Sequence, residues 1–172
     1  MATSNNQKRY TPLMVTLHWL IALLIFATFG LGLVIEDLPA QEKVAWLRLH
    51  MPLGIATLLL MLVRLVARWR SPLPAPANSD NPLLDKIAGI THGLLYLLAL
   101  LLPLTGMFLN ISNNLSSVVF FGQGQYPEGL QTMLHGVLPK ALAALLALHI
   151  GAALWHQFIK KDGLLGRMGY GK

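Results

Sequence analysis

Six histidines carry the chemistry open to this chain: His18, His50, His92, His135, His149 and His156. Each lies in, or at the edge of, a long apolar run. A neutral imidazole in hydrocarbon is costly unless something binds it, and neutral polar partners are scarce in these runs. Six together point to a shared ligand rather than to six separate helix–helix hydrogen bonds. The sequence has no cysteine, which excludes disulfides, Cys-ligated zinc, iron–sulfur clusters and a C-x-x-C-H attachment. Any metal must be held by His, Met or carboxylate. The acidic residues sit in loops and at helix ends, so a zinc site, with three or four ligands at one depth, is weakly supported.

The elements that must position these imidazoles are four apolar runs, at approximately residues 13–35, 50–69, 87–109 and 133–159. Each is long enough to cross a hydrocarbon core, which takes about 20 helical residues. The composition agrees, with 55% hydrophobic and 12% charged residues against roughly 25% charged in soluble domains. The 172 residues read as one all-α domain, an integral membrane four-helix bundle. The first run exceeds a signal-peptide core and reads as a retained span.

Net charge is +6, but no basic cluster interleaved with aromatics suggests nucleic acid. The basic residues flank the apolar runs, where lipid headgroups attract them. Lys8, Arg9, Arg64, Arg68, Arg70, Lys86, Lys160, Lys161, Arg167 and Lys172 fall on one side, and Lys43, Arg48 and Lys140 on the other. This asymmetry predicts that both termini are cytoplasmic. "SPLPAPANSDNP" reads as a stiff connector, and 110–132 as an outer loop whose "SSVVFFGQGQYPEG" lies at the interface. Trp19, Trp46, Trp69 and Trp155 read as interface belts or packing.

Depth sorts the histidines. At about 1.5 Å per residue, His18, His92 and His156 lie within roughly 10 Å of the cytoplasmic helix ends. His50 and His135 enter from the outer face. On the last helix, 135, 149 and 156 fall within about 60° of one face. A b-type haem needs two imidazoles from opposing helices and an apolar slot, and Gly30, Gly32, Gly54, Gly93, Gly106, Gly136 and Gly151 are placed to make room. Anchors at 149 and 156 would be only about 10 Å apart, whereas 135 and 149 are separated by about 21 Å. The spacing predicts an outer haem on His50 and His135, and an inner haem on His149 with His18 or His92.

"LHWL" at 17–20, His50 with "LMLVRLVARW", "THGLLYLLALLLPLTG" and "LHIGAALWHQFIKKDGLLGRM" resemble the bacterial cytochrome b561 family over nearly the whole chain, and within it the superoxide oxidase branch. The resemblance implies a multi-pass protein of the bacterial inner membrane with two haem b groups and a ubiquinone site near the cytoplasmic face. It assigns His18 and His149 to the inner haem iron and His50 and His135 to the outer one. It puts His92 and His156 beside the quinone, and Arg64 and Arg68 on the propionate or quinone side. Pro52 and Pro139, near the outer ligands, and a nearly balanced outer charge depart from the pattern.

The expected function is transfer of electrons from superoxide or another periplasmic donor through the haems to ubiquinone. His92 and His156 would hydrogen-bond the quinone oxygens and pass protons. Arg64 would pair with a propionate or snorkel to headgroups. Two alternatives stand beside it: a haem-b anchor subunit fed by a periplasmic dehydrogenase or hydrogenase, and a haem-free transporter with a histidine proton relay. Lipid and quinone are the expected partners, and a homodimer is left open.

Overall fold

The computed structural model describes residues 9–75 and 81–169. Lys8 and Lys172 of the charge count, and positions 76–80 of the connector, lie outside the described residues. Four helices are long and apolar enough to cross a membrane. Helix α1 spans Pro12–Asp37, with Thr11 as N-cap and a proline in the first turn, where its missing N–H is harmless. Helix α2 spans Ala40–Arg70. Helix α3 spans Pro82–Asn113, capped by the Asn81 side chain on Leu83 N–H. Asn114, at φ 51°, turns the chain into the short α4, Leu115–Phe121. Helix α5 spans Leu130–Trp155 and widens into a π-turn over His156–Lys160. A 3₁₀ turn, Leu164–Met168, follows.

These elements correct several boundaries. Helix α2 begins at Ala40, so His50 lies three turns inside it rather than at its start. Lys43 and Arg48 are therefore helical rather than loop residues. The region expected as an outer loop holds the end of α3 and all of α4. There Arg48 Nε donates to Val119 C=O at 2.9 Å, tying α4 to α2. The α-helical part of the last span stops at Trp155, so the single stripe expected for His135, His149 and His156 breaks at its third member. Pro139 lies inside α5, leaving the His135 carbonyl without its usual i+4 donor.

Helix α1 packs along α2, α2 along α3 and α3 along α5, while α5 meets α1 and α2 only marginally. The core reflects this. One buried cluster joins Met14, Leu17 and Ile21 of α1 to Met61 and Ala67 of α2 and Ala99 of α3. A second, at the other end, joins Ile35, Leu47, Leu115 and Val119. Of α5, only Leu142 is buried. The last helix therefore stands off from the first two and leaves a seam between them.

The described terminal segments meet at one end of the bundle. Tyr10 N–H donates to Arg167 C=O at 3.0 Å, and Trp19 Nε1 donates to Met168 C=O at 3.2 Å. Arg167 donates to Ala75 C=O, in the α2–α3 connector, at 2.6 Å.

Candidate functional site: two histidine pairs along one seam

The seam is where the histidines face each other. The rings of His18 on α1 and His149 on α5 have centroids 6.3 Å apart. Those of His50 on α2 and His135 on α5 are 6.1 Å apart and perpendicular. Both pairs bridge helices that are not packed closely together. His135 and His149 are fourteen residues apart on one helix, which sets the two levels about 21 Å apart along it. The other helices share this offset. Fourteen residues separate His18 from Gly32, His50 from Arg64 and His92 from Gly106. Fourteen residues of helix fall short of four full turns by only about 40°, so each spanning helix presents one residue to each level from nearly one face.

These pairs fit a haem iron. A metal lies about 2.0 Å from an imidazole nitrogen, and the ring centre lies roughly 1.1 Å further back. Two opposed axial imidazoles therefore place their centroids about 6 Å apart. Both pairs match that spacing. His92 and His149 are closer, with centroids 5.2 Å apart, a ring contact too short to hold an iron between opposed nitrogens. Among the described residues, no group of three or more His, Cys, Asp or Glu converges as a metal centre.

The surroundings of the outer pair complete the fit. Thr105 donates its hydroxyl to Leu102 C=O at 2.7 Å, so towards His135 Nδ1, 2.9 Å away, it acts as acceptor. That makes Nδ1 the protonated nitrogen of His135 and leaves Nε2 with a free lone pair, the arrangement a metal-binding histidine needs. His50 Nδ1 is buried without a hydrogen-bond partner. The Thr28 backbone lies close enough to act on the same ring.

Glycine provides the remaining space. A Cβ on Gly106 would come within 2.9 Å of His135 Cε1, whereas one on Gly32 would sit at an ordinary 3.6 Å from His50 Cε1. Gly106→Ala should therefore displace the His135 ring and lower the haem content, while Gly32→Ala leaves it near normal; haem-to-protein ratios check both. A Cβ on Gly30, Gly54, Gly93, Gly136 or Gly151 would meet nothing within 4 Å. Close helix–helix packing does not account for these five glycines. Thr105→Val keeps the shape but removes the hydroxyl that orients His135, and should weaken outer-haem retention about 10- to 100-fold, read by haem transfer to an apo-globin acceptor.

The inner level carries the cations. Arg64 is 6% exposed; it donates from Nη1 to Met14 C=O at 2.7 Å and from Nε to Tyr96 Oη at 3.1 Å. It turns inward, so the headgroup-snorkelling alternative does not hold. The guanidinium groups of Arg64 and Arg68 both lie over the Tyr96 ring, 5.9 and 5.5 Å from its centroid. Arg64 is close enough to act electrostatically on His18, and Arg68 on His92. His156 is apart from this group. Its ring meets the edge of Trp155, and its Nδ1 bonds Asp162.

Sequence reasoning missed Thr105, Tyr96 and Asp162. The repeated fourteen-residue offset from His92 lands on Gly106, and only adjacency to that position could have drawn attention to Thr105. Tyr96 lies one turn beyond His92 in an otherwise apolar stretch, and only the helix crossing brings it to Arg64. Asp162 gives no periodic signal, because the helix has ended before it.

A membrane four-helix bundle with paired imidazoles at two levels of one seam is an architecture that suits haem binding. The chain belongs to the prokaryotic cytochrome b561 family, whose model matches residues 9–171. It is 36% identical to cytochrome b562 of Cereibacter sphaeroides, over 92% of this chain and 94% of that protein. It is 29% identical to a probable superoxide oxidase, CybB, of Yersinia pestis, over 94% and 96% of the two chains. It is also 29% identical to cytochrome b561 homolog 2 of Escherichia coli K12, over 98% and 95%. Family and spans together make it a multi-pass protein of the bacterial inner membrane. The family implies haem b, electron transport and an oxidoreductase role.

Proposed function

We propose that the chain is a di-haem oxidoreductase that carries electrons from periplasmic superoxide to ubiquinone near the cytoplasmic face, with both termini cytoplasmic and 1–172 acting as one membrane domain. The observation that carries this reading is the pair of imidazole couples at 6.3 and 6.1 Å, two levels apart along one seam. Haem b held by His18 and His149, and by His50 and His135, would supply reversible one-electron chemistry at the two levels.

The chain's own residues do the rest. Thr105 fixes the tautomer of His135. Arg64 is a buried cation whose described partners, Met14 C=O and Tyr96 Oη, are both neutral, so an anionic haem propionate would supply its missing countercharge. His92, against the inner pair, and Arg68, over Tyr96, flank the cytoplasmic side of that level and suit a quinone head. In the overall reaction two superoxide ions each lose one electron and leave as dioxygen. Ubiquinone takes both electrons and two protons, one through His92 and one through His156, and leaves as the quinol. Imidazoles suit this because they titrate near neutral pH.

At the opposite end, a cleft of about 370 Å³ opens between the α1–α2 corner and the start of α5, lined among others by Lys43, Tyr126, Thr132 and Met133. Lys43 and Glu128 both line it, so its charge is balanced; its small size alone suits a small donor better than a docked protein. Purified protein exposed to superoxide, with a short-chain ubiquinone present, tests the reading. Reduction of the haem bands and quinol formation without any partner protein are expected. Reduction only on adding a dehydrogenase or hydrogenase would make the chain an anchor subunit instead.

A further inference from the structure

We propose that Asp162 is a positioning residue: its carboxylate holds His156 in one tautomer and one orientation for proton delivery at the cytoplasmic end of α5. The inference rests on the quinone role given to His156 above. In an uninterrupted α-helix, residue 162 would lie about 9 Å further along than 156 and roughly 120° round from it. The chain does otherwise. After the π-turn His156–Lys160, Lys161 adopts φ 54°, a left-handed conformation that costs a non-glycine residue about 1–2 kcal/mol. Together they fold Asp162 back, so that its N–H reaches His156 C=O at 3.4 Å and its Oδ2 bonds His156 Nδ1. π-Turns of this kind recur at functional sites.

The carboxylate is held at both oxygens. Oδ1 accepts from Leu164 N–H at 3.1 Å, at the head of the 3₁₀ turn, and that turn is tied to α1 and the connector through Arg167 and Met168. The edge of Trp155 flanks the His156 ring, centroids 5.1 Å apart. The His156 side chain is 12% exposed and that of Asp162 31%, so the carboxylate is the more open to water of the two. A carboxylate only accepts, so Nδ1 carries the proton it shares and Nε2 is left to take up the mobile one. The proton enters from cytoplasmic water, leaves Nε2 for a quinone oxygen and forms the O–H bond there, while the electrons come from the donor.

Burial alone would push the Asp162 carboxyl up. The hydrogen bonds from His156 and Leu164 N–H, with the charge of Lys160, hold it below the usual carboxylate range, so it stays anionic at neutral pH. The other charged or titratable groups described at this end are Lys161, Arg167, Arg9 and Tyr10 before α1, Arg68 and Arg70 on α2 and, on α3, Asp85, Lys86 and His92. Arg167 is turned to Ala75 and His92 to His149.

The test compares Asp162→Asn, Asp162→Ser, Asp162→Glu and His156→Ala in haem-loaded protein. Ser keeps an acceptor for Leu164 N–H but no charge, which guards against a folding defect. Reoxidation of dithionite-reduced protein by a short-chain ubiquinone is followed from about pH 5 to 9, and nitrogen-labelled histidine NMR reads the His156 tautomer. Loss of the carboxylate should move the alkaline limb of the rate down by about one pH unit and scramble the tautomer at unchanged haem content, with Glu restoring most of both. An unmoved limb and tautomer, while His156→Ala slows reoxidation at least about tenfold, would overturn the role of Asp162 and spare the quinone reading. If His156→Ala leaves reoxidation unchanged, the quinone reading fails and takes the proton role with it.

Discussion

His50→Ala and His149→Ala should each leave about one haem per chain where the proposed di-haem protein holds two, and the haem lost should differ between them. The two levels are built from separate residues. His50 meets His135 at one level, and His149 meets His18 at the other. About 21 Å of helix between the α5 ligands keeps the loss of one haem from dismantling the other site. Removing an axial imidazole leaves an open coordination position and a void in the seam, so retention of that haem should collapse rather than weaken slightly. The two variants should keep bands of different midpoint potential, because Arg64 and Arg68 charge only the inner level. Haem-to-protein ratios and a redox titration of each variant check this. Loss of both haems from one variant would mean the levels are coupled, and loss of none would overturn the pairing.

Arg64→Ala should lower stability by about 3 kcal/mol and lower the midpoint potential of the inner haem. The stability change follows from two hydrogen bonds made by a charged group, each worth about 1.5–3 kcal/mol, together with the space the side chain leaves in the core. Arg64 joins three helices, bonding Met14 C=O on α1 and Tyr96 Oη on α3 from its place on α2. The potential falls because a nearby positive charge favours the state with one more electron, and in a low-dielectric interior that influence is strong. Arg64→Lys keeps the charge but is a point donor without the planar fork, so it should restore the potential more fully than the stability. Tyr96→Phe removes one of these two bonds and should cost about 1.5–3 kcal/mol. Thermal unfolding in detergent with a redox titration separates the two effects, and an inner potential unmoved by Arg64→Ala would argue against its role as a propionate partner.

The four spans were readable because lipid forces long uniform apolar helices, and all four runs correspond to helices. Their ends were less readable. Residues 40–49, "AQEKVAWLRL", mix charges into a sequence that hydropathy alone treats as loop, yet Arg48 and Leu47 bind α4 and the core from within α2. The His135–His149 spacing was legible because fourteen residues return nearly to the same face, and it named the helix that lines both levels. Choosing His18 over His92 for the inner pair was not open to spacing, since both lie at similar depth. The family resemblance makes that choice, and we propose it on ring separations of 6.3 Å for His18–His149 and 5.2 Å for His92–His149. The sequence leaves Arg64 between a propionate partner and a snorkelling cation, because one-dimensional depth cannot tell a side chain that turns inward from one that turns out. His156 looked like a third member of the α5 stripe because the helix was extended in thought beyond Trp155. The π-turn and Lys161 break that periodicity and bring in Asp162, a contact no helical pattern encodes.

The proposed function requires this seam to hold two b haems between paired histidines. A reduced-minus-oxidised spectrum of the purified chain, taken with a haem-to-protein ratio, reads this out. Two six-coordinate b haems per chain, reducible at separable potentials, are expected. No six-coordinate b-haem band, or a single haem per chain, would contradict it.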